Sequence, residues 1–97
     1  LGDVISHILS QNYGDGLKIA NNEIKKGNLT GYSLTTVIKN LLSQNYENGL
    51  KLVKKWIKKG ILIGPFLTDI ICHILSQNYE DGLQLAKEEI KKRNFMI

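Results

Sequence analysis

A short block, Leu-Ser-Gln-Asn-Tyr followed two residues later by Gly-Leu, stands at residues 9–17, 42–50 and 75–83, so it returns every 33 residues. The likeness runs past the block: 16 of the 22 positions in 7–28 carry the same residue as their counterparts in 73–94. The chain is therefore three copies of one unit, approximately 1–33, 34–66 and 67–97, in a single repeat domain covering 1–97. A period of this length marks stacked supersecondary units, each with an apolar face that it cannot bury alone.

Within the unit the apolar spacing is helical. Leu34, Val37, Ile38, Leu41 and Leu42, with equivalents Leu1, Val4, Ile5, Ile8 and Leu9 and again Leu67, Ile70, Ile71, Ile74 and Leu75, fall within an arc of about 140° on a helix, the stripe of an element with one buried face. The segment stops at Ser-Gln-Asn, where Asn12, Asn45 or Asn78 can cap a second helix and Asp15, Asn48 or Asp81 follows three positions on. So short a connection predicts an antiparallel hairpin. The second helix carries Leu17, Ala20 and Ile24, then Leu50, Val53 and Ile57, then Leu83, Ala86 and Ile90, widened by Ile19, Leu52 and Leu85.

Gly16, Gly49 and Gly82 lie in the first turn of these second helices, where glycine costs up to about 1 kcal/mol relative to alanine. Their recurrence predicts close approach to the first helix. Tyr13, Tyr46 and Tyr79 are placed at the same junction, each hydroxyl turned to solvent or a partner. Gly27 and Gly60 suit left-handed helix ends, with Arg93 in that place in the third copy. The spans 28–32 and 61–64 read as linkers, Ser33 as the cap of the next helix, and Pro65 as a first-turn residue. The expected fold is all-α: three tandem αα-hairpins, six helices, in a short α-solenoid or compact helical-repeat bundle.

Composition narrows the function classes. Apolar content is an ordinary 42% and the longest apolar run, 61–67, is interrupted by Gly64 and Pro65, far below the roughly 18 residues of a spanning helix. The single cysteine, Cys72, excludes an intrachain disulfide framework. A first residue Leu1 suggests a processed chain or an excised fragment, and Asn28-Leu29-Thr30 matches the N-glycosylation acceptor pattern. Repeat arrays ordinarily carry polar caps. The third copy instead ends in Phe95, Met96 and Ile97, so association through the end faces, or further repeats in a longer parent chain, is expected.

Charge is uneven. Lys and Arg balance Asp and Glu in residues 1–33, exceed them by 5 in 34–66, and fall short by 1 in 67–97. In the middle copy Lys51, Lys54, Lys55, Lys58 and Lys59 flank Trp56, which stands where the other copies have Glu23 and Glu89. This is a candidate docking patch for an acidic partner. Lysines in a last helical turn also offset the negative end of the helix dipole, so a solvated face explains many of them.

Chemistry-bearing residues are sparse. His7 and His73 occupy equivalent positions two copies apart, each with an aspartate one turn earlier, Asp3 or Asp69. Cys72 and His73 are adjacent and diverge by about 100° on a helix, poor geometry for a nucleophile and its base. There is no glycine-rich phosphate loop, no paired histidine motif and no nucleophile elbow. The reading is non-enzymatic, with no cofactor and no metal.

From Tyr32 onward the run Ser-Leu-Thr-Thr-Val-Ile-Lys-Asn-Leu-Leu, the small Gly49 before Leu50, and the ending Ile57-Lys-Lys-Gly-Ile resemble a pentatricopeptide repeat, across the whole chain. The resemblance implies an α-solenoid that binds single-stranded RNA, with bases met by Thr35 and Thr68 early in the first helices and by Thr30 and Ile63 before them. The unit is shorter than that family's at the hairpin turn, and Ile63 has no side-chain hydrogen bond to offer a base edge.

Three function classes follow. The first is a scaffold binding another protein, or itself through uncapped ends. The second is RNA binding of the pentatricopeptide kind, with the middle-copy lysines on phosphates. The third is a secreted carrier of an apolar ligand.

Overall fold

The computed structural model describes residues 1–92, which form six helices and no strand: α1 (Gly2–Gln11), α2 (Tyr13–Lys25), α3 (Gly31–Gln44), α4 (Tyr46–Lys58), α5 (Gly64–Gln77) and α6 (Tyr79–Lys92). They pair into three helical hairpins in register with the 33-residue unit. No helix among these residues is long and apolar enough to cross a membrane.

A single asparagine makes each hairpin turn. Asn12, Asn45 and Asn78 are extended, at φ near −150°. Their N–H groups donate back to Ile8, Leu41 and Ile74, and their carbonyls accept from Gly16, Gly49 and Gly82. Their side-chain Oδ1 atoms accept the N–H of Asp15, Asn48 and Asp81 at 3.0, 3.2 and 3.1 Å. One residue thus closes one helix and opens the next, leaving none of its own backbone groups idle at the junction.

So tight a reversal forces the two helices together, and the recurrent glycine makes room. A β-carbon at Gly16 would lie 2.8 Å from the Leu9 Cα, at Gly49 2.9 Å from the Leu42 Cα, and at Gly82 2.7 Å from the Leu75 Cα. The obstacle includes backbone in each case, so rotation of the leucine side chain does not relieve it.

Helices α2 and α4 end in Schellman turns. Gly27 and Gly60 take φ of +77° and +74°, and the N–H groups of Asn28 and Ile61 reach back to the carbonyls of Glu23 and Trp56. Within the following linkers Leu29 and Leu62 are fully buried, tying each linker to the core. Helix α3 begins earlier than the cap expected at Ser33: Thr30 holds the N-cap position without a side-chain cap bond. The Ser33 hydroxyl donates to the Thr30 carbonyl at 2.7 Å rather than accepting an N–H, which places Ser33 inside the first turn. Pro65 sits in the first turn of α5, as its missing N–H allows.

The chain groups into two packed units, Leu1–Lys54 and Lys55–Ile97, with the division inside α4. In the first, α1 packs against both α2 and α3, and Gly2 is so close to Ser33 that a β-carbon there would lie 2.9 Å from its carbonyl oxygen. Ile5, Leu9, Leu34, Val37, Ile38 and Leu41 are buried. In the second, α5 packs against α6, with Trp56, Leu62, Leu67, Ile70, Ile74 and Leu85 buried.

Candidate interaction surface

The five lysines of α4 and its C-terminal end, Lys51, Lys54, Lys55, Lys58 and Lys59, are all exposed. Trp56 does not belong with them. It is only 2% exposed, so it is a core residue and not the aromatic centre of a docking patch. The reason lies in helical phase: Trp56 falls one turn from Val53 and beside Ile57, both buried, whereas the lysines occupy the remaining arc. In the other copies the same position pairs with the lysine three residues on, Glu23 with Lys26 at 3.5 Å and Glu89 with Lys92 at 3.8 Å.

The two threonines assigned to bases separate. Thr35 is buried and its hydroxyl donates to the Tyr32 carbonyl at 2.8 Å, so its side chain cannot meet a base in this structure. Thr68 is exposed, with its hydroxyl directed to the Gly64 carbonyl at 3.3 Å. Thr30 is exposed and Ile63 half-buried. Phe95, Met96 and Ile97, assigned to an end face, lie outside the described residues.

Asp3 and His7 are exposed on α1, and Cys72 is exposed on α5. The Nε2 of His73 is buried without a hydrogen-bond partner. Among the described residues no three His, Cys, Asp or Glu side chains gather as a metal site would require. A shallow depression of about 450 Å³ on α1 is lined by Asp3, Val4, His7, Ile8 and Gln11. A second, of about 410 Å³, runs between α1 and α3 beside Ser6, Ser10, Thr36 and Asn40. Its lining residues are polar, but the Ser10 and Thr36 hydroxyls are already engaged by the His7 and Tyr32 carbonyls.

What distinguishes the surface is how repeat-equivalent residues differ in burial. Val37 and Ile70 are fully buried, while Val4, at the same position of the first copy, is 60% exposed. Leu34 and Leu67 are buried and Leu1 is 54% exposed. On the second helices, Leu85 is buried and Ile19 exposed. A different set is uncovered in the third copy: Ile24 and Ile57 are buried, but Ile90 is 63% exposed, and Tyr79 is more exposed than Tyr13 or Tyr46. Thr35 and Thr68 follow the same order. The sequence shows these residues as equal in kind, and only the packing reveals which copies leave them bare.

No protein-family model matches this chain, and neither a curated protein nor a solved structure shows significant similarity to it.

Proposed function

We propose that this chain is a non-catalytic helical-repeat interaction module, a scaffold that docks a protein partner, or another copy of itself, through the apolar faces of its first and third copies. The observation that carries the reading is the contrast between Val4, exposed on α1, and Val37 and Ile70, which the fold buries at the same position. Val4 on α1 and Leu1 at its N-cap together leave apolar surface open at one end of the first copy, and contiguous apolar surface favours contact with a partner. The test is a quantitative pull-down from native extract with wild type and Val4→Lys. Proteins held by the wild type and released by the variant support the reading, and an identical set from both sinks it.

A second reading is favoured by the five exposed lysines on α4 and its end. An anionic partner, with single-stranded RNA first among candidates by resemblance to pentatricopeptide repeats, would meet these side chains through phosphates. Its base contacts would have to exclude Thr35. Binding of this kind weakens steeply as salt rises, with a slope set by the number of phosphates neutralised. Titration of a labelled single strand at low and moderate salt tests it, and salt-independent or undetectable binding counts against it.

A further inference from the structure

We infer that the partner of these faces is a second copy of this chain, bound head to tail: the α6 side of one molecule seats on the α1 and α2 side of the next. The inference rests on the interaction-module reading and names its partner.

Both halves of the required contact are present in one chain. Inside the first unit, α1 lies on α3, and α2 is joined to α4 by a hydrogen bond from Asn48 Nδ2 to the Tyr13 hydroxyl at 2.6 Å. One copy therefore presents the Tyr13 side of its second helix to the start of the next copy's second helix. Tyr13 and Ile24 are eleven residues apart, about 20° from alignment on an α-helix, so both lie on that side. The matching side of α6 carries Tyr79 and Ile90, and both are exposed. The surface that a preceding copy would meet, represented in the second copy by buried Leu34 and Val37, is represented in the first by exposed Leu1 and Val4.

The polar contact also has a counterpart. Tyr79 is equivalent to Tyr13, and Asp15 is equivalent to Asn48. In a head-to-tail pair the Tyr79 hydroxyl would donate to the Asp15 carboxylate, a charge-assisted bond in place of the amide-to-hydroxyl one. The first-copy face and the third-copy face thus correspond to the two opposite sides of the contact that joins successive copies. A contact of this kind is heterologous, so it extends into open chains or closes into a ring.

The experiment is sedimentation velocity of the purified 97-residue chain over a wide concentration range, with Val4→Lys and Ile90→Lys. Both side chains are exposed, and circular dichroism establishes that the variants remain folded. Wild type is expected to rise from the mass of one chain, 10.9 kDa, to about twofold that or more as concentration increases. Each variant alone has one blocked face and one intact face. Two molecules of the same variant cannot join through an intact pair, so each stays at single-chain mass. Mixed, the intact third-copy face of Val4→Lys meets the intact first-copy face of Ile90→Lys, and the mass doubles and goes no further. A wild type that remains single-chain throughout overturns the inference. So does association that survives Ile90→Lys but not Val4→Lys, which would be a like-with-like contact. Because no other protein is in the cell, either result leaves the pull-down with Val4→Lys to decide the broader reading on its own.

Discussion

Asn48 donates its side-chain amide to the Tyr13 hydroxyl across a sequence separation of 35 residues, linking the first turn of α2 to the first turn of α4. The same asparagine gives its backbone N–H to Asn45 Oδ1, so the cap of one hairpin and the contact between successive hairpins share a residue. Tyr13→Phe and Asn48→Ala are each expected to cost about 0.5–1.5 kcal/mol, the usual net worth of one such bond. The double variant should lose markedly less than the two losses added. Urea unfolding of all four proteins measures the coupling, and strict additivity would show that the bond contributes nothing.

Gly49→Ala and Gly14→Ala are expected to act in opposite directions although both fall in the opening turn of a second helix. A β-carbon at Gly49 meets the Leu42 backbone at 2.9 Å, whereas at Gly14 the nearest contact is the Asn12 side chain at an ordinary 3.6 Å. The first should destabilise by about 1–3 kcal/mol through overpacking. The second should stabilise by up to about 1 kcal/mol through helix propensity. Thermal midpoints of the two variants decide it.

Asn45→Ala removes the Oδ1 acceptor for the Asn48 N–H and should cost about 1 kcal/mol, while Asn45→Gly should cost only a few tenths. Equal losses in chemical denaturation would mean that the side-chain cap is idle.

Trp56→Ala is expected to cost about 3–5 kcal/mol through the cavity it leaves, a large share of the stability of a domain this size. Lys54→Gln and Lys58→Gln, at exposed positions, should stay within about 0.5 kcal/mol of wild type while reducing any salt-sensitive binding. Circular dichroism melts separate the two classes. Loss of binding in the tryptophan variant would therefore report unfolding rather than a vacated docking site.

Local structure was legible in the sequence because local rules decide it. The asparagine caps, the glycines at close approach, the left-handed Gly27 and Gly60 and the first-turn Pro65 each follow from backbone chemistry within a few residues. Trp56 departs from the expected patch because neighbours along the chain are not neighbours around a helix. The spacing of Val53, Trp56 and Ile57 held the signal for its burial. Leu29 and Leu62, 33 residues apart inside spans that read as linkers, were also recoverable from the repeat, since an apolar residue kept at one loop position implies an anchor. That the outer copies leave apolar surface bare follows from the missing caps, but that Val4 and Ile90 are the residues left bare does not. Periodicity declares equivalent residues alike, and only packing distinguishes a covered copy from an uncovered one.

The one-residue reversal at Asn12, Asn45 and Asn78 also restricts how a gene for such a protein can change length. Deleting a single codon at Asn45 would turn α4 by about 100° about its axis, setting Lys54 and Lys58 at the buried sites of Val53 and Ile57, and inserting one would set Lys55 at the buried site of Trp56. Indels inside a hairpin are thus closed to drift, and gain or loss is expected in whole 33-residue modules.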